Sequence, residues 1–571
     1  MTNGMGTTLS LNGLPDDYFI FLENGKRLYG DDTYARINVA KIKRIEILNG
    51  ASSALYGTNA IGGVINIITD DVKNAINVSS DTRYASKGRF TQSVNIDVNT
   101  GKFGSYTSYR RQQAEGWQLN PYEENSKTHE LEETGKVAST GFYANTVNQK
   151  FTFDATDKLS FYARGGYYDN KTRRPYEAYD YNILHETFNY GIGAQYMINK
   201  GNYITADCYA DHFSSSYCFF KDNKTYNGKA GEEQVRKRTR NHNLSIKGIF
   251  KLGNRHKLSV GTEYIVDVLK SQTDNIAKED AYTLALFAQD EIKLLRNLQA
   301  LIGVRYIYHE NFKNHATPNV ALMYKPGKFN FRASYAAGFR TPTLSELYAT
   351  DIAKKNDRLT IGNLDLKPEK NNYFSLSAEY VHERFSVSVN AFYNNIRDMI
   401  DYNTIATGDK AMEQYGHKEV RQRDNIAEAK VHGINVSANA YLGAGFNLSG
   451  GYTHLNTQDV ELEQPIDKSI KNAYNINAQW AHSWKIYRLN INLNGRFNSK
   501  RFSKSYGYAP EYQLWDLNTR HSFNLKSVII EPGCGMENLF DYMDDRPYNS
   551  NYATLTPGRS FYISLSLKFK S

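Results

Sequence analysis

No run of 18 consecutive apolar residues occurs in this 571-residue chain, and its mean hydropathy is −0.61, which excludes a membrane-spanning helix. Cysteine is scarce. Cys208, Cys218 and Cys534 are the only three, and they form no CxxC or zinc-type spacing. Cys208 and Cys218 could face each other across a loop and oxidise to a disulfide, the alternative being free thiols. The opening MTNGMGTTLSLNG has neither the basic nor the apolar region of an export signal. The 13 histidines are scattered, and the nearest pair, His309 and His315, is not at a helix-facing spacing. With no Ser/His/Asp order, metal-spaced His pair or phosphate loop, an enzyme has little support and no cofactor is implied. The net charge of +9 is modest for the length and spread along the chain, which reads as a solvated surface of mixed sign and gives no sign of a nucleic-acid partner.

What is present is tyrosine, 44 residues of it, within an aromatic content of 13%. With abundant Gly, Ser, Thr and Asn and only 12 Pro, this composition suits short alternating strands. The length exceeds one ordinary domain, so several domains or one very large closed sheet is expected. Two zones appear. Residues 1–72 hold Gly-punctuated apolar runs (Tyr18–Leu22, Ile42–Leu48, Val64–Ile68) and no His. Residues 73–571 alternate strictly: Phe374, Leu376, Ala378 and Tyr380 against Ser375, Ser377 and Glu379, then Phe561, Ile563, Leu565, Leu567 and Phe569 against Tyr562, Ser564, Ser566 and Lys568. Period-two alternation makes one face of a strand greasy and the other wet. Ten short polar turns recur, among them Ala155–Lys158, Gly253–His256, His382–Arg384 and Leu525–Ser527. The spaces between them hold two membrane-length strands and one longer loop, which predicts an all-β fold of about 22 antiparallel strands with both ends on the short-turn side. A barrel that wide needs something in its lumen, and residues 1–72 are the candidate.

Residues 42–69 read IKRIEILNGASSALYGTNAIGGVINIIT. This resembles the plug signature of TonB-dependent outer-membrane receptors, carried here by Gly50, Leu55, Tyr56, Gly57, Gly62, Gly63 and Asn66. Three later segments resemble boxes of the same family: FRTPTLSELY (Phe339–Tyr348), with Thr341 where Ala is usual; GNLDLKPEK (Gly362–Lys370), with Leu364 in place of Pro; and ENLFDYMDDRPY (Glu537–Tyr548) followed by the closing strand PGRSFYISLSLKF. The resemblance covers essentially the whole chain. It implies residues 1–72 as the C-terminal part of a plug and residues 73–571 as the transmembrane barrel. Family members begin with a signal peptide, a TonB-contacting segment and the first plug half, so the chain as written is expected to bind ligand poorly and transport nothing.

By the same resemblance the function is TonB-dependent import of a scarce metal chelate, with a ferric siderophore first. Cobalamin or haem are alternatives within the family, and a non-energised porin-like channel is the alternative from another class. Haem is disfavoured by the absence of His from the plug fragment and from residues 343–361. The implied partners are the TonB–ExbB–ExbD complex, the ferric chelate or cobalamin-type ligand, outer-membrane lipid and a surface lipoprotein. Arg44 and Glu46 match plug positions that pair with the barrel wall, the alternative being plain strand charges. Arg340, Glu346 and Tyr348 in the seventh outer loop either touch ligand or anchor the loop. Among the loop tyrosines (Tyr122, Tyr176, Tyr179, Tyr181, Tyr217, Tyr402, Tyr415, Tyr506, Tyr508), Tyr179, Tyr402 and Tyr506 are the first candidates for ligand contact, since flat rings stack on chelates. The carboxylates Asp541, Asp544 and Asp545 read as a solvated acidic loop rather than a calcium site.

Overall fold

The computed structural model describes residues 10–50, 57, 60–69, 75–125, 128–353, 357–504, 507–548 and 556–570. From Ile76–Ala85 to Ser560–Lys570 the chain forms a closed barrel of 22 antiparallel strands, the fold expected from the alternation. Closure is a strand pairing like any other: Asn77 opposes Lys570 and Ala85 opposes Tyr562, so the sheet has no free edge. The ten short turns fall between consecutive strand ends, as where Gly141–Asp154 hands over to Leu159–Arg173. The other end of the barrel, called the outer end here, carries the longer connections. There the paired strands Phe385–Thr407 and Glu419–Gly443 run 23 and 25 residues, well past the 9–11 that cross a membrane.

Alternation decides which face meets which medium. Phe561, Ile563 and Leu565 are 56%, 66% and 41% exposed, and no second sheet covers them. A soluble sandwich would bury that face, so the outward apolar band is the lipid-facing surface of a membrane barrel. The inward residues between them meet the lumen. Cys208 and Cys218 do not face each other across a loop. Both lie on the strand Asn202–Phe219, about 33 Å apart at the rise of an extended strand. The chain reverses only after Phe219, so no disulfide forms and both are free thiols.

Inside the barrel sits a four-stranded sheet in the order Lys26–Arg27, Phe19–Glu23, Gly63–Thr69, Ile42–Asn49. Phe19–Glu23 pairs parallel with Gly63–Thr69 and is covered on both faces, which is why Phe19, Ile20, Phe21 and Leu22 are apolar without interruption. Two glycines are obligatory. Gly63 has φ +140°, and a Cβ there would sit 2.3 Å from the Leu48 carbonyl oxygen. Gly50, at φ +80°, passes so close to the wall that a Cβ would meet the Tyr373 ring at 2.3 Å. The boundary expected at residue 72 lies outside the described residues, between Thr69 and the first barrel strand at Ile76.

Candidate functional site

The plug is held to the wall by two different kinds of contact. On one sector Leu14, Tyr18 and Ile61 join Tyr373, Phe392, Ile396 and Leu455 in a continuous apolar cluster. On the other, charges meet. The Arg36 guanidinium donates to both carboxylate oxygens of Asp211 at 3.2 Å, with side chains 5% and 0% exposed. Asp211 also accepts from the Tyr29 N–H at 3.1 Å. Lys26 pairs with Asp207 at 2.6 Å, Lys41 with Asp97, and Glu23 with Arg164 at 3.6 Å. Asp32 receives His185 at 2.8 Å, Asn170 at 3.0 Å and the Tyr168 hydroxyl at 3.2 Å. Burial works against the Asp32 charge, yet the hydrogen bonds and charge of His185, with Asn170 and Tyr168, outweigh it and hold this carboxyl below its ordinary value.

Among the described residues Arg44 and Glu46 form no ion pair with the wall. Alternate positions on one strand put them on the same face, and they pair with each other at 2.6 Å, both more than a third exposed. Glu46 also accepts from Asn66 at 3.0 Å. Of the plug signature, Leu55 and Tyr56 lie outside the described residues. Gly57 lies beside Arg305, its nearest atom 3.4 Å from a Cβ built there, and Gly62 packs against the Tyr18 carbonyl.

Arg340 and Glu346 are engaged with each other. Arg340 is 3% exposed and donates to both oxygens of Glu346 at 3.0 Å and to Glu369. Glu346 in turn caps the short helix Leu344–Tyr348 reciprocally with Thr343. Burial would raise the Glu346 pKa, but the Arg340 charge and hydrogen bonds prevail and hold it below the ordinary range. Glu369, fully buried, also accepts from the Ile400 N–H at 2.9 Å and from the plug's Tyr18 hydroxyl at 3.2 Å. Arg340 and Glu369 belong to the FRTPTLSELY and GNLDLKPEK segments, so those two boxes are written for each other. Tyr348 packs with Phe312 on Leu347, Leu366 and Ile400.

The loop tyrosines separate into several groups. Tyr181 stacks on Tyr217 with ring centroids 4.0 Å apart, and Tyr226 stands edge-on to both at 5.7 and 5.1 Å. Arg174 lies over Tyr179 and Tyr181 at 4.2 and 5.0 Å, and Arg236 over Tyr217 and Tyr226 at 5.3 and 4.9 Å. Tyr176 stacks on Phe220 at 5.4 Å beneath the Lys221 ammonium. This aromatic and cationic wall faces the outer vestibule. Tyr181 stands four residues above His185 on the same inward face, about 13 Å from the plug contact at Asp32. Tyr226, Arg174 and Arg236 were not singled out from sequence; their signal is basic residues interleaved with Tyr around the two loops.

Tyr402 lies elsewhere, 41% exposed under the Arg423 guanidinium at 3.6 Å. Both line a small cavity of about 160 Å³ with Arg358, Arg421 and Asp351. Tyr122 is exposed on a short loop strand, Tyr415 packs in an apolar cluster with Ala411 and Val420, and Tyr508 rests on Phe502. Tyr506 lies outside the described residues. The acidic loop is internally engaged, with Asp544 on Arg546 at 2.7 Å and Asp541 accepting from the Arg559 N–H at 2.6 Å. Between Val39–Ala40 and the strands at the barrel seam lies a polar cavity of about 570 Å³, with Arg83, Arg110, Arg520 and Lys568 among its lining.

A closed 22-strand barrel with a sheet domain bound inside it by wall-specific ion pairs defines a plugged outer-membrane-type receptor. Sequence models bear this out: residues 89–531 match the TonB dependent receptor-like beta-barrel and residues 1–64 the TonB-dependent receptor plug domain. The chain belongs to the TonB-dependent receptor family. Among solved structures it is similar to a variant of the ferric enterobactin receptor PfeA of Pseudomonas aeruginosa, at 17% identity and TM-score 0.84 over 100% of this chain and 94% of that one. It is also similar to the siderophore receptor PirA of Acinetobacter baumannii, at 16% identity and TM-score 0.79 over 100% and 94%. The FrpB iron transporter of Neisseria meningitidis matches at 14% identity and TM-score 0.76 over the same shares.

Proposed function

We propose that this chain is the binding and translocating body of an active transporter of the Gram-negative outer membrane, and that its cargo is a ferric siderophore. The observation that carries the reading is the vestibule wall of Tyr181, Tyr217 and Tyr226 with Arg174 and Arg236. Flat rings offer stacking area at small entropic cost, and guanidinium groups answer an anionic chelate. The names of the similar structures, a ferric enterobactin receptor and a siderophore receptor among them, favour the same cargo. Energy for release would come through TonB, ExbB and ExbD acting on the plug, whose wall contacts are charged on one sector and apolar on the other.

The test is a titration of the purified barrel carrying a full plug, by tyrosine and tryptophan fluorescence, with ferric tris-catecholate, ferric hydroxamate, cobalamin and haem. A ferric siderophore is expected to bind with Kd in the nanomolar range, about −12 kcal/mol. Tyr217→Ala and Arg236→Ala are each expected to weaken it about tenfold, the size of one desolvated cation–π or stacking contact. Binding of cobalamin alone, or siderophore affinity untouched by either substitution, would sink the reading.

A further inference from the structure

The plug's charges grip one arc of the wall and leave another untouched. Its ion pairs with the barrel, among the described residues, all land between the strands Arg89–Asn99 and Glu233–Leu252, through Asp97, Arg164, His185, Asp207, Asp211 and Lys237. The seam arc runs from Tyr512–Leu525 through Val528–Glu537 and Ser560–Lys570 to Ile76–Ala85. There the plug contributes only Val39 and Ala40 to the lining of the cavity of about 570 Å³. Small side chains hollow the wall. One rung of the sheet reads Arg520, Gly533, Ser564, Arg83, Thr91, Gln112, and the next reads Glu531, Ser566, Asp81, Ser93, Arg110. Glycine, serine and threonine make the floor, with Arg520 on one side of it and Arg110 on the other.

The charges of this hollow are sorted by height. At its outer end Arg83 and Arg89 share Glu537, and at its short-turn end Lys568 holds Glu531 at 2.7 Å. Glu531 and Glu537 stand about 20 Å apart along their strand. Between these closed pairs Arg110 and Arg520 have no carboxylate within ion-pair distance among the described residues. Arg110, 5% exposed, gives one N–H to the plug's Ile37 carbonyl at 2.6 Å, so the plug closes the near side of the hollow. Asp81 is the lining carboxylate without an ion pair among the described residues, and five cations face three carboxylates, so the balance stays positive. Ser566, 8% exposed, lines the hollow with a hydroxyl that has no hydrogen-bond partner among the described residues. A buried polar group left so is costly unless a ligand or water answers it. Five strand spacings of about 4.8 Å put Arg110 and Arg520 about 24 Å apart along the wall, too far for one small oxyanion to touch both. A cavity of this volume takes a ligand of drug size.

We infer that the seam hollow is a second, internal holding site for a bulky anionic chelate, with Arg110 and Arg520 gripping it from opposite sides over a floor of hydroxyls. Guanidinium groups bind oxyanionic ligands in a bidentate, directional way, and the serine and threonine hydroxyls answer the remaining oxygens. The site lies on a different arc from the vestibule rings, the strand of Tyr181 being five strands from Ile76–Ala85 around the barrel, so both can be filled at once. The inference rests on the anionic-chelate cargo proposed above and gives that cargo a stopping place beside the plug.

The experiment saturates the purified barrel carrying a full plug with ferric tris-catecholate and counts bound chelates by native mass spectrometry. The wild type is expected to hold two. Arg110→Gln with Arg520→Gln should keep the first and weaken the second at least tenfold, whereas Arg110→Lys with Arg520→Lys should retain most of it. Asp81→Asn, which removes the opposing charge, should tighten the second site severalfold. Migration of the folded barrel on an unheated gel verifies that each variant is intact. A chelate count that the glutamine pair leaves unchanged in number and affinity would overturn the inference. So would displacement of the second chelate by an equal concentration of orthophosphate, which would reassign the hollow to small anions. Tyr217→Ala separates this inference from the vestibule reading, since it should weaken the first chelate alone. If only one chelate binds, and the glutamine pair but not Tyr217→Ala removes it, the vestibule reading fails and the internal site stands.

Discussion

Replacing Asp211 by Leu should loosen the plug without touching the barrel. Asp211 is the sole acidic partner, among the described residues, of an Arg36 side chain that is 5% exposed. Its removal leaves a buried guanidinium uncompensated, at a cost of about 3–5 kcal/mol. The Tyr29 N–H loses its acceptor in the same step, within about 1–3 kcal/mol of further cost. For a unit as small as the plug, a urea dependence of about 1–2 kcal/mol per molar turns the ion-pair loss alone into a midpoint lowered by about 1.5–5 M. Plug opening can be followed by protease nicking of residues 10–69 across a urea series, with the folded barrel as internal standard. Adding Arg36→Met to Asp211→Leu removes the stranded charge, so the double variant should recover most of the loss and fall short by the orphaned Tyr29 donor. If the single variant lowers plug stability by less than about 1 kcal/mol, or the two substitutions are simply additive, the pair does not hold the plug.

Asp32 supplies a pH signature. Its pKa is held below the ordinary 3.8, so its stabilisation is complete above that pH and is lost as pH falls beneath it. The wild-type plug midpoint should therefore drop more steeply than that of Asp32→Asn in the acid range, and parallel curves would remove Asp32 from the contact. Gly63→Ala should destabilise the plug by at least about 1–3 kcal/mol through its backbone conformation alone, with the clash at Leu48 adding to it; an unchanged urea midpoint would contradict the geometry. Alkylation of the denatured, unreduced protein should label all three cysteines, and a deficit of two would restore the disulfide.

Alternation and turn chemistry made the barrel legible. Phe561 to Phe569 declare one greasy face, and turns such as Ala155–Lys158 fall where the strands Gly141–Asp154 and Leu159–Arg173 meet. Such signals are local, with a period of two and a span of a few residues. The site was legible only in part. Strand parity says that Asp211 points inward, but nothing near it in sequence says that Arg36, 175 residues away, will reach it. Arg44 and Glu46 stand at the matched positions, yet two residues on one strand share a face and satisfy each other first. Arg340 and Glu346 were legible as charged residues of the seventh loop, but their burial was not, because it depends on Glu369 and Tyr18 arriving from elsewhere. Tyr181 and Tyr217 were legible as loop tyrosines, and only folding shows them stacked between two guanidinium groups.

Glu369 is where three parts of the molecule hold one carboxylate: the strand end at Arg340 that leads into the seventh loop, the plug through Tyr18, and the extended strand at Ile400. A buried carboxylate tolerates the loss of a donor poorly, so no one of the three can drift away gradually while the others stay. Movement of the loop, the plug or the strand is consequently expected to be all-or-none. Under a steady pull such a joint is expected to behave as a latch with a threshold, staying shut below a certain force and yielding abruptly above it.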